Sequence, residues 1–219
     1  MFLHTHPYRP FIPKNAIKLI VGTIPPPRFS TGDLFDEDVN FCYGSKYGLL
    51  WPILDNIFDL DLVYENSNSA IEQRKDFLEF NKIGICDIVE SCERDQLNAS
   101  DMGMKNIKLR NLLKYLSEYP TIETLLFMGG NSINGPEYLF RSHLKEYNIQ
   151  LKKVSSKNAK IHQFEFEKRL LKTVSLISPS NAANRSIGAK AIYKERIQRD
   201  KNYSTFKFRL SQYEHFFNV

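Results

Sequence analysis

The feature that most constrains this chain is a set of four short runs that are apolar on both faces. They are "IKLIVGT" (17–23), "IGICDIV" (83–89), "ETLLFMGG" (123–130) and "LKTVSLIS" (171–178). A strand with one wet face alternates apolar and polar residues. A run without that alternation has to be covered on both sides, as strands of a parallel sheet are. Helical patterns lie between the runs. "GLLWPILDNIFDL" puts Leu50, Ile53, Leu54, Ile57 and Phe58 on one stripe, with Trp51 in line for the core, and "MKNIKLRNLLKYL" does the same with Ile107, Leu112, Leu113 and Leu116. "NGPEYLFRSHLKEY" reads as a helix start with Asn134 as N-cap and Pro136 just inside.

This alternation predicts an α/β fold, a three-layer α/β/α arrangement with a central four-stranded, mainly parallel sheet. "IHQFEFEKRLLKTV" alternates and adds a hairpin strand at an edge, while "STFKFRLSQYEHFF" fits helix or strand. With 219 residues and no repeat, low-complexity tract or linker, the expectation is a single domain over 1–219.

No apolar run approaches the roughly 20 residues that span a bilayer, and the start lacks a secretion-signal pattern, so a cytoplasmic monomer without membrane contact is expected. Cys42, Cys86 and Cys92 have no CxxC spacing and read as reduced, packed thiols that hold no metal or iron–sulfur cluster. His4 and His6 have no carboxylate cluster nearby in sequence and read as part of a mobile N-terminal arm. The net charge of +5 is unevenly spread: Arg185, Lys190, Lys194, Arg196, Arg199, Lys201, Lys207 and Arg209 face only Glu195 and Asp200 in their stretch. Such an excess suits a phosphate backbone, and equally a solvated helix face.

In open parallel sheets ligands bind beyond the carboxyl ends of the strands. The four segments there supply Thr23, Asp87 with Ser91, Asn131 with Ser132, and Ser178 through Asn184. Hydroxyls and amides with few full charges suit a neutral, hydrogen-bonding ligand such as a base or sugar.

These segments also resemble a known family, the uracil-DNA glycosylase superfamily. "VGTIPPP" is similar to its first motif, "YGSKYGLLWPIL" to the aromatic-and-glycine segment of the hypoxanthine-type and thermostable uracil-type branches, and "GICDIVESCERDQLNASD" to the second-strand segment of the mismatch-specific uracil/thymine branch. "SPSNAANRS" resembles the Pro-Ser loop that enters the minor groove. The matches occur in the family's order and span about residues 17 to 190.

The resemblance implies a three-layer α/β/α enzyme that flips a damaged or mispaired base, of uracil or hypoxanthine type, out of DNA and hydrolyses its N-glycosidic bond in base-excision repair, without a cofactor. It implies base contacts at Thr23, Ile24, Pro25, Tyr43, Gly44, Ser91 and Asn131, with Tyr43 stacking on the base. DNA contacts fall at Lys46, Ser180, Asn181, Asn184, Arg185 and Lys190. The chain departs from the pattern in three places. Asp87 stands where the family reads the base with an amide, Ser178 stands where many relatives have a histidine, and neither Thr23, Ile24 nor Gly48 can handle the attacking water. Asp87, Asn40 and Ser178 are the candidate catalytic groups, Asn40 as a member of the acidic loop "DLFDEDVN". The missing first-motif acid leaves a catalytically silent, base-binding relative as the alternative, and an unrelated enzyme on a small nucleoside or sugar as a third reading.

Overall fold

The computed structural model describes residues 1–130, 132–155 and 158–217. Its main sheet holds six strands in the order β3-β2-β6-β9-β8-β7. They are β2 (Lys18–Gly22), β3 (Ile83–Asp87), β6 (Thr124–Phe127), β7 (Lys152–Ser155), β8 (Lys160–Phe166) and β9 (Arg169–Ser175). The four strands read from the apolar runs pair in parallel, β3 with β2, β2 with β6 and β6 with β9. The expected central four-stranded sheet is therefore the parallel part of a larger, mixed one, because β8 and β7 continue it antiparallel. β8 and β9 form the hairpin that the alternating run predicts, but the edge strand is β7, which pairs outside β8.

Alternate side chains of the parallel strands go to opposite faces, and each face has its helices. Ile20, Ile85, Leu126 and Val174 pack with α2 (Leu50–Phe58), α3 (Asn68–Phe80) and α8 (Thr205–Phe217), where Trp51 is buried. Leu19, Cys86, Leu125 and Phe127 pack with α4 (Leu112–Glu118) and α5 (Pro136–Lys145) on the other face. The C-terminal segment, open between helix and strand in the sequence, is thus helical. Pro27–Thr31 forms a short α1, and Asn184–Gly188 and Ala191–Arg199 form α6 and α7. Cys42, Cys86 and Cys92 are buried and unpaired.

Four local expectations change. Residues after β3 do not form a loop: β4 (Val89–Arg94) follows at once and lies between β1 (Phe2–Thr5) and β5 (Lys105–Leu109) in a three-stranded antiparallel sheet. The helix expected from 104 to 116 therefore starts only at Leu112, where the Asn111 side chain accepts the Lys114 N–H as its cap. The N-terminus is no loose arm, since β1 pairs with β4 and buries His4 and His6. At α5 the N-cap is Gly135; Asn134 adopts a left-handed φ of 59° and its amide instead donates to the carbonyls of Asp101 and Met104.

Among the described residues, no helix is long and apolar enough to cross a membrane, and no group of three His, Cys, Asp or Glu side chains is placed to hold a metal.

Candidate active site

A cavity of about 280 Å³ opens at the carboxyl ends of β2, β3, β6 and β9. The turn after β2 supplies Thr23, Ile24 and Pro25, β3 supplies Asp87, β6 is followed by Met128, and the segment after β9 supplies Ser178, Pro179 and Ser180. Tyr43, Gly44 and Ser45 close one side. Neighbouring turns are tied together: Val89 N–H donates to the Thr23 carbonyl at 3.0 Å and Leu49 N–H to the Pro179 carbonyl at 2.9 Å. Gly22, Val89 and Pro179 thus lie together at the carboxyl ends of the parallel strands, with Val89 opening β4 of the second sheet.

The glycine at 22 has a steric reason. A Cβ there would lie 2.0 Å from the Tyr43 hydroxyl and 2.4 Å from Asp87 Oδ1, so only a bare Cα lets both groups converge above the strand end. Tyr43 itself holds a φ of 59°, a left-handed conformation that costs a tyrosine on the order of 1 kcal/mol and marks a position fixed by its surroundings. Gly44 beside it leaves no room for a side chain, since a Cβ would lie 1.8 Å from the Val39 carbonyl. Burial, with the charge of Asp87 beside it, pushes the Tyr43 phenol well above its ordinary pKa, so it faces the cavity as a neutral hydroxyl.

Asp87 is 4% exposed and receives a hydrogen bond from His6 Nε2 at 2.9 Å. His6 Nδ1 accepts the Tyr8 N–H at 3.0 Å, so the ring proton resides on Nε2 and points at Asp87 Oδ2. Asp87 Oδ1 has no hydrogen-bond partner among the described residues. The second carboxylate of the cavity is Asp101, which opens a single 3₁₀ turn, Asp101–Gly103. Thr23 Oγ donates to its Oδ1 at 3.0 Å, and Asn134 holds its backbone carbonyl. Burial lifts the Asp101 carboxyl from 3.8 to about 6; the Thr23 hydroxyl and the Arg94 charge work against that rise, and Asp87 adds to it.

The acidic loop sends one member inward, Asp38, and it is fully engaged. It accepts from Arg28 at 2.7 and 2.8 Å and from the amides of Phe35 and Lys46. Burial pushes its carboxyl up, but Arg28 and the two amides outweigh this and hold it below the usual range. Its work is to pin the loop that carries Tyr43. Asn40 is exposed, accepts from the Tyr8 hydroxyl at 2.8 Å and does not line the cavity. Ser91 lies within β4, paired with Thr5 and Lys108, also away from the cavity. Asn131 lies outside the described residues.

The Pro-Ser segment is held from behind by Arg209. This side chain is fully buried and donates to the carbonyls of Ser178, Ser180 and Thr205 and to Asn184 Oδ1. Arg209 is thus no phosphate contact, and Asn184 faces Arg209. Arg196 turns to Tyr203 and Ser211, Arg199 pairs with Glu195, and Lys207 pairs with Asp200. Arg185 and Lys190 stay exposed, and Asn181 donates to the Tyr47 carbonyl at 3.4 Å. Lys46 forms an ion pair with Glu37 at 3.0 Å.

Of the sequence candidates, the cavity gathers Thr23, Ile24, Pro25, Tyr43, Gly44, Asp87, Ser178 and Ser180, and leaves Asn40 and Ser91 out. His6 and Asp101 were not among them. No periodicity singles out either residue. The only sequence sign of Asp101 is that it ends the segment likened to the second-strand motif.

The fold and this site define an α/β protein with a largely apolar cavity that holds two carboxylates, at the carboxyl ends of its parallel strands. The same fold occurs in the solution NMR structure of a candidate uracil DNA glycosylase from Methanosarcina acetivorans, with a TM-score of 0.54 and 16% identity over 89% of this chain and 94% of that one. At that identity the likeness is one of fold. No model of a known protein family matches the chain, and no curated protein matches it.

Proposed function

We propose that this protein is a DNA N-glycosylase acting on a flipped-out damaged or mispaired base. The observation that carries the reading is the hydrogen bond from Thr23 to Asp101. The turn that resembles the family's first motif has no acid of its own, and a carboxylate from another loop arrives at that turn. It shares the cavity with Asp87, Tyr43 and the Pro-Ser segment. The likeness of fold to a candidate uracil DNA glycosylase supports the same reading.

Cleavage develops positive charge at C1′ and negative charge on the departing base. In the proposed reaction the C1′–N bond breaks and its electron pair leaves with the base. The water oxygen bonds to C1′, its proton passes to ionised Asp101, and the base is protonated from solvent. A carboxylate with a pKa of about 6 is ionised at neutral pH and still basic enough to accept that proton. The anionic pair Asp101 and Asp87 also favours the cationic sugar electrostatically. Tyr43 meets the base edge with its hydroxyl, in place of the stacking that the resemblance implies, and exposed Arg185 and Lys190 contact the backbone.

Incubation with single-stranded and duplex oligonucleotides carrying uracil, hypoxanthine, oxidised or alkylated bases tests this. Alkali-labile abasic sites from at least one substrate are expected. Binding without product from any member of such a panel would leave only a silent, base-binding protein.

A further inference from the structure

The inner end of the cavity offers acceptors where a uracil-type base needs a donor. We infer that the pocket reads its base through N–H groups and favours a guanine-type edge over a uracil-type edge. This deepens the glycosylase reading and rests on it only for the base being attached to DNA.

The argument starts from Asp87. Its side chain is almost completely buried at the end of β3, it lines the cavity, and Oδ1 lacks a partner among the described residues. A carboxylate oxygen has lone pairs and no proton to give, so the partner it lacks is a donor. His6 cannot change this, because its Nδ1 is committed to the Tyr8 amide and its Nε2 proton to Oδ2. The neighbouring Asp101 is a second carboxylate and brings no donor. The guanidinium of Arg28, the cation that lines the cavity, already donates to both oxygens of Asp38 and to Ser45. The Tyr43 hydroxyl stands with Oδ1 over Gly22 and can turn its proton toward a ligand carbonyl.

The base edges differ in what they bring to such a surface. Uracil presents one N–H between two carbonyls, whose oxygens would face the carboxylate lone pairs. Hypoxanthine has a single N–H beside a C–H. Adenine and cytosine set an amino group next to a ring-nitrogen lone pair. Guanine places its ring N–H and its amino group side by side, with a carbonyl beyond them for the tyrosine hydroxyl. On DNA, an oxidised or mispaired guanine would be selected over an intact pair because it leaves the stack more easily.

The test compares deoxyguanosine, deoxyinosine and deoxyuridine as free ligands of the intact protein, titrated by NMR. The first two differ by one amino group. Deoxyguanosine should bind about tenfold more tightly than deoxyinosine, the scale of one charge-assisted hydrogen bond, and Asp87→Asn should shrink that ratio and improve deoxyuridine. The wild-type ratio stands even if the variant fails to fold. Equal affinities, a preference for deoxyuridine, or no saturable binding of any of the three overturns the inference. Base release from the lesion panel, measured separately, distinguishes the two ideas: release without guanine preference removes only this one, and guanine preference without release removes only the glycosylase reading.

Discussion

Asp101 carries its charge at a cost to folding. Its native pKa of about 6 lies above the ordinary 3.8, so the native state holds a proton that the unfolded chain has released. Stability therefore falls between about pH 4 and pH 6 as the unfolded chain ionises first, and stays reduced above pH 6 by on the order of 3 kcal/mol. Asn mimics the protonated form and can still accept from Thr23. Asp101→Asn should thus raise the melting temperature at neutral pH, with the gain disappearing near pH 4. Scanning calorimetry at both pH values checks this, and a variant less stable than wild type at neutral pH would mean that the carboxylate is structurally wanted. A stabilising change at a cavity residue is the usual mark of a group kept for chemistry.

At the scale of elements, the site depends on parts that do not touch the cavity. Arg209 of α8 gathers three carbonyls and the Asn184 amide behind the Pro-Ser segment. Arg209→Ala strips charge-assisted donors from a buried cluster and should cost about 3 kcal/mol, read as a lowered urea midpoint. A change within about 0.5 kcal/mol would show that the segment holds itself. This element scale also explains what the sequence discloses. β2, β3, β6 and β9 are legible because a strand covered on both faces has no polar positions to confuse its pattern. β1 and β4 are not, because their pairing joins residues some ninety positions apart, Phe2 with Arg94, and each strand taken alone is short and mixed. The role of His6 is hidden in the sequence for the same reason: it reaches Asp87 only because the β1–β4 pairing carries it there. The helix expected from residue 104 failed because Lys105–Leu109 completes the β4 edge, and tertiary pairing overrides a weak apolar stripe.

At the scale of the whole molecule, the candidate site lies at one end of a sheet that is packed by helices on both faces. The sequence located that end through its four strand termini and named eight of the residues that line it, Thr23, Ile24, Pro25, Tyr43, Gly44, Asp87, Ser178 and Ser180. It did not single out Asp101, which belongs to a polar stretch without periodicity; its burial in the cavity and its bond to Thr23 distinguish it from Asp95 or Asp33, which are engaged at the surface. The central claim is that this end breaks a glycosidic bond with Asp101 handling the water. The most direct measurement is the single-turnover rate of abasic-site formation against pH, for wild type and Asp101→Asn, on whichever oligonucleotide the panel identifies. The account predicts a wild-type rate that rises with pH through about 6, as Asp101 ionises, and a variant slower by about 10²-fold or more without that rise. A variant that cleaves at the wild-type rate with the same pH profile would contradict it.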